Sequence, residues 1–132
     1  MICVRDIIVI SGLAVQVYIA YRDTPDYRFI SKDIAALRVL IDKAAQLSKS
    51  TKISNDDHHY GQKVLKGCQG ALEDLKHFIE KYNRLASINK SLVLNRVKLG
   101  KYDITVLHER LISSASLLNG FVRWYVVHFL LH

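Results

Sequence analysis

Both ends of this chain are apolar, and the stretch between them carries its apolar residues at three- and four-residue steps. The first run, Ile7-Ile-Val-Ile-Ser-Gly-Leu-Ala-Val-Gln-Val-Tyr-Ile-Ala-Tyr21, is interrupted only by Ser11, Gly12 and Gln16. The last, Leu117-Leu-Asn-Gly-Phe-Val-Arg-Trp-Tyr-Val-Val-His-Phe-Leu-Leu131, is almost as apolar. The spacing in the middle marks amphipathic helices. One proline and six glycines suit long helices and poorly suit a turn-rich β fold. At 132 residues the chain has room for one domain and one core. The expected fold is therefore an all-α, antiparallel four- to five-helix bundle, residues 1–132 forming one domain. Two fates remain open for the apolar ends: burial inside that bundle, or exposure to a bilayer on demand.

The clearest boundary is Asp23-Thr-Pro-Asp26. Thr24 is expected to cap a helix through its hydroxyl, Pro25 to take the first helical position, and Asp26 to favour the positive end of the helix. A first helix is predicted from about Arg5 to Arg22. The second places Phe29/Ile30, Ile34, Leu37, Leu40/Ile41, Ala44 and Leu47 on one face and ends near Ser48. Residues 49–57 read as a polar loop closed by a helix start. The third helix carries Val64/Leu65, Cys68, Leu72, Leu75, Phe78/Ile79, Tyr82 and Leu85, with Glu80 and Arg84 spaced as an i,i+4 ion pair. Gly61, Gly67 and Gly70 weaken that helix and are expected to admit a close neighbour. Ile104, Leu107, Leu111, Ala115, Leu118 and Phe121/Val122 make the final stripe. Whether Gly100 breaks the last helix is left open by the sequence.

Charge is unevenly placed. Residues 1–80 hold eleven Lys/Arg against ten Asp/Glu, whereas residues 81–132 hold eight against two. Lys81, Arg84, Lys90, Arg96, Lys98 and Lys101 fall in a segment with no acid. This segment is the candidate for anionic lipid; as a plain solvated helix face it has the commoner explanation. Nucleic acid is disfavoured, because the aromatic residues cluster elsewhere and no reading module is present.

Cys3 and Cys68 follow no metal or redox spacing and point to a cytoplasmic setting, with recruitment to a membrane as the extension. Asp6 spoils the basic start of a signal peptide, and no small-x-small cleavage site follows. Ile7–Tyr21 is 15 residues with polar interruptions, short of the roughly 20 a bilayer core requires. Asp56-Asp57-His58-His59 resembles metal ligands, but consecutive helical side chains diverge, so a capped helix start explains it better. No nucleophile, phosphate-loop or acid–base signature occurs. The chain is thus expected to be no enzyme, with no cofactor, no metal, no small-molecule substrate and no catalytic residue.

Four segments together resemble one family: Asp6 to Pro25; Phe29-Ile-Ser-Lys-Asp-Ile-Ala-Ala-Leu-Arg-Val-Leu40; Leu65-Lys-Gly-Cys-Gln-Gly-Ala-Leu-Glu-Asp-Leu75 with Glu80-Lys-Tyr-Asn-Arg-Leu85; and Leu107-His-Glu-Arg-Leu-Ile-Ser-Ser-Ala-Ser-Leu-Leu-Asn119. Their order and spacing resemble the fungal N-terminal domain of STAND-type NACHT and ankyrin proteins, related to HeLo and HeLo-like cell-death domains. The likeness covers roughly residues 6–122. Lys98-Leu-Gly-Lys-Tyr102 departs from it in being basic, and Arg123–His132 in being strongly apolar.

The resemblance implies a helical bundle used in self/non-self recognition or programmed cell death. It also implies a homo-oligomer, or pairing with other helical signalling domains, and an N-terminal helix that enters the membrane. On this chain the inserting candidates are Ile7, Ile8, Ile10, Leu13, Val17 and Tyr21. Trp124 and Tyr125 are expected at the lipid interface. The rival expectation is an adaptor module that binds other helical domains and never meets lipid.

Overall fold

The computed structural model describes residues 4–47, 49, 55–88 and 90–127, with side chains described over 5–47, 49, 56–87 and 104–127. It is an all-α bundle: α1 (Val4–Arg22), a short 3₁₀ turn (Pro25–Tyr27), α2 (Arg28–Leu47), α3 (Asn55–Ile88) and α4 (Lys90–Tyr125). No strand occurs among the described residues.

Pro25 sets the first corner, as its position predicts. Its ring fixes φ and it lacks an N–H, so it begins a helical turn but cannot continue one. The axes of α1 and α2 consequently bend by 113°. Thr24 behaves differently from expectation. Its backbone is extended and its side chain caps nothing; the hydroxyl instead donates 2.8 Å back to the Ala20 carbonyl. Thus it closes the end of α1 rather than opening the next helix.

α3 and α4 form a long antiparallel hairpin. Tyr60 faces Phe121, the Cys68 thiol donates to the Ser114 carbonyl, and Asp74 pairs with Arg110. As one number rises the other falls. α4 is continuous through Gly100, so the question the sequence left open is answered without a break. α2 and α4 run in the same direction: Asp33 meets His108, and Ala36, Val39 and Leu40 line a cleft with Ile112, Ala115, Ser116 and Asn119. α1 packs on α2 and α3, and α4 packs on the same two. Around the bundle the order is therefore α1–α2–α4–α3, which places α2 and α3 on a diagonal.

The core follows the predicted stripes. Ile30, Ile34, Leu37, Ile41 and Ala44 of α2 are buried against Leu65, Cys68, Leu72, Leu75 and Ile79 of α3 and Ile104, Leu111, Leu118, Phe121 and Val122 of α4. Each fully buried aliphatic side chain contributes about 1.5–3 kcal/mol. Phe29, by contrast, is exposed. Glu80 pairs with Lys76 at 4.0 Å rather than with Arg84. Gly67 and Gly70 do not serve as contact points for a neighbouring helix backbone. A Cβ at 67 would meet nothing within 4 Å, and one at 70 only the Arg110 guanidinium at 3.8 Å.

Candidate functional site

α1 has two apolar faces. One consists of Ile7, Ile10, Ala14, Val17 and Tyr21, all buried in the bundle core. This is the i, i+3, i+7 pattern of a packed helix. The other face carries Ile8, 66% exposed, Val9, 50% exposed, and Ile19, 41% exposed. The helix is therefore not enclosed by its neighbours, as an all-round apolar core helix would be. Leu13 lies between the faces, half-buried and packed against the core.

The exposed face borders a groove. Ile8, Val9, Gly12, Leu13 and Gln16 form one wall and Glu73, Lys76 and His77 of α3 the other, enclosing about 590 Å³. A Cβ at Gly12 would meet nothing within 4 Å, so this glycine widens the groove and does not serve as a packing contact in the monomer.

The six residues singled out for membrane insertion thus separate. Ile7, Ile10, Val17 and Tyr21 are core; Leu13 is intermediate; Ile8 alone is well exposed. Tyr21 is also tied by a polar contact, its hydroxyl donating 2.8 Å to the Leu75 carbonyl of α3. Beyond it the 3₁₀ turn docks through aromatic edges. The Tyr27 ring meets Phe78 at 5.3 Å and Tyr82 at 5.0 Å between centroids, both edge-on. The Tyr82 hydroxyl donates to Asp26 at 2.5 Å. Burial and the adjacent Asp26 carboxylate push the Tyr82 phenol up to about 12.

The hairpin register places the six cationic positions of the basic segment toward the closed end of α3 and α4. Lys81 and Arg84 are exposed and join no ion pair found among the described residues. The side chains of Lys90, Arg96, Lys98 and Lys101 lie outside the described residues. So does the apolar tail from His128 onward. Of the two aromatic residues assigned to a lipid interface, Trp124 is 39% exposed, but Tyr125 is fully buried. On a helix adjacent residues point about 100° apart, so the two cannot share one exposed face.

Asp56 and Asp57 occupy the first turn of α3, where a carboxylate is favoured by the unpaired N–H groups. His58 turns inward, 5% exposed, and burial lowers its pKa below the ordinary histidine value. Among the described residues no group of three or more His, Cys, Asp or Glu side chains is arranged to hold a metal ion. No single helix among them is long and apolar enough to cross a membrane, although α1 and α2 pass that test together as a bent pair.

The long-range polar contacts were not foreseen from the sequence, among them two between ionisable side chains on different helices. Asp33 Oδ2 lies 2.6 Å from His108 Nε2, beneath the edge of Phe29, and Arg110 reaches Asp74. Each joins residues far apart in the chain, and no local pattern signals them. Comparison with family models, with curated proteins and with solved structures gave no match.

Proposed function

We propose that this chain is a non-enzymatic signalling domain of the HeLo-like kind, which self-associates and perturbs anionic membranes by releasing α1 from the bundle. The observation that supports this reading is the apolar character of both faces of α1. Freed from its seat, α1 would present Ile7, Ile10 and Val17 together with the already exposed Ile8, Val9 and Ile19. α2 is the contrast: opposite its buried stripe it carries Lys32, Asp42 and Lys43, so its release gives only a half-apolar helix. Lys81 and Arg84 add long-range attraction of about 1 kcal/mol per cation close to anionic lipid. That attraction is screened beyond about 8 Å at physiological salt.

Dye release from phosphatidylglycerol and phosphatidylcholine vesicles tests the proposal, with light scattering to follow self-association. Release from the anionic vesicles should fall as salt rises and should disappear in Ile8→Asn/Val9→Asn, whose helical circular dichroism stays at the wild-type level. Absence of release by a folded, self-associating protein would sink it. The α1/α3 groove favours a second reading, a helical interaction module that takes another helix between Ile8, Val9 and Leu13 on one side and Lys76 and His77 on the other.

A further inference from the structure

The corner between α1 and α2 is braced within itself. The Thr24 hydroxyl donates 2.8 Å to the Ala20 carbonyl, and the Tyr27 amide donates 3.1 Å to the Thr24 carbonyl. Arg28 Nε reaches back 2.9 Å to the Arg22 carbonyl, holding the start of α2 against the end of α1. Among the described residues, two hydrogen bonds tie this corner to α3: Tyr21 to the Leu75 carbonyl and Tyr82 to Asp26. Tyr27 docks by its ring alone, edge-on to Phe78 and Tyr82, both half-buried. It is 5% exposed, and its hydroxyl is shielded from solvent with no hydrogen-bond partner.

A hydroxyl buried without a partner bears its full desolvation penalty, whereas a paired one is compensated. Tyr21 and Tyr27 bring the same group into the bundle, and only that of Tyr21 is paired. The docking of Tyr27 is therefore opposed by its own hydroxyl, and undocking returns that group to water. We propose that the Pro25–Tyr27 turn is a built-in gate: it lifts off α3 as one braced piece, carrying Tyr27 into solvent, and so begins the release of α1. Its functional meaning rests on the release of α1 proposed above, but the lifting itself belongs to the bundle alone. The Asp26–Tyr82 bond is the catch. It lies at the surface, where water competes for both partners.

Aromatic-carbon relaxation dispersion reads microsecond-to-millisecond exchange ring by ring. In the lipid-free protein, exchange should appear at Tyr27, Phe78 and Tyr82. It should be absent at Phe121, a core ring that packs near the start of α3. Tyr27→Phe keeps the ring and deletes the unpaired hydroxyl. It should lower the open population read at Phe78 and Tyr82 about tenfold, within the range for one such group, and raise the urea midpoint. Tyr21→Phe, the same deletion at a paired hydroxyl, should lower that midpoint. Asp26→Ala, which removes the catch, should raise the open population.

Quiet rings at Phe78 and Tyr82 in the wild type, an open population undiminished in Tyr27→Phe, or equal exchange at Phe121 would overturn the gate. Dye release from phosphatidylglycerol vesicles then separates the two readings. Suppressed exchange in Tyr27→Phe with slower dye release supports the gate as the way α1 leaves. Dye release at the wild-type rate in that variant shows that α1 leaves by another way and overturns it. Suppressed exchange in a protein that never releases dye supports the gate and counts against membrane activity alone.

Discussion

The Tyr21 hydroxyl donates a 2.8 Å hydrogen bond to the main-chain carbonyl of Leu75, at the far end of α1 from its N-terminus. Tyr21 is wholly buried, so water cannot replace that bond while α1 stays seated. The contact joins the helix with two apolar faces to the helix that forms the other wall of its groove. It is thus both a stabilising bond and a tether on the element proposed to move.

Tyr21→Phe keeps the ring and removes the tether. Leu75 retains its place in the α3 hydrogen-bond ladder, so the loss should be that of one neutral bond, about 0.5–1.5 kcal/mol. Urea denaturation should show this decrease. Vesicle dye release should begin at lower protein concentration than in the wild type if α1 is the element that leaves.

The two faces of α1 should respond differently to the same polar substitution. Ile10→Asn and Val17→Asn place an amide in a fully packed site and should each cost about 3 kcal/mol or more. Ile8→Asn, on the exposed face, should change stability by no more than about 0.5 kcal/mol. Thermal melts of the three variants check this. A comparable loss in Ile8→Asn would mean that the face is covered in solution.

Stability should decline on the alkaline side. Burial pushes the Cys68 thiol from 9.0 up to about 11, and Tyr82 is raised from 10.0 to about 12. Between the ordinary and the raised values, the unfolded chain loses protons that the folded chain retains, so unfolding becomes easier as pH rises. The contribution is whole below pH 9 and is lost as pH climbs from 9.0 towards 11 for the thiol, and from 10.0 towards 12 for the phenol. Denaturant midpoints measured from pH 8 to 11.5 should fall less steeply in Cys68→Ala and in Tyr82→Phe than in the wild type.

The Asp33–His108 contact should be modest in energy. The aspartate side chain is 44% exposed and the histidine 21%, so solvent screens the pair. Asp33→Ala should cost about 1 kcal/mol or less, and Asp33→Asn, which keeps an acceptor for the ring N–H, less again. A double-mutant cycle with His108→Ala measures the coupling. A coupling well above that ceiling would show that α2 and α4 depend on this contact for their docking.

Much of the helical layout is readable from side-chain spacing. Ile34, Leu37 and Ile41 on α2, and Cys68, Leu72 and Leu75 on α3, are buried where a period of 3.6 residues places them. Pro25 marks the corner because its ring permits a helix start and forbids a continuation. Thr24 shows the limit of such reading: its hydroxyl donates to the Ala20 carbonyl behind it and makes no capping bond to the amides ahead.

What the sequence by itself determined is which residues form helices and which face of each amphipathic helix avoids water, since both depend on near neighbours along the chain. Tertiary structure alone decided what each face meets. α1, apolar in nearly every direction, had no pattern to mark the side to be buried; packing against α2 and α3 selected Ile10 and Val17 and left Ile8 and Val9 in solvent. The same is true of Tyr125, buried, and Trp124, exposed, which are chemically alike and adjacent in the chain. Their fates diverge because a helix turns about 100° per residue and only one of them faces the core.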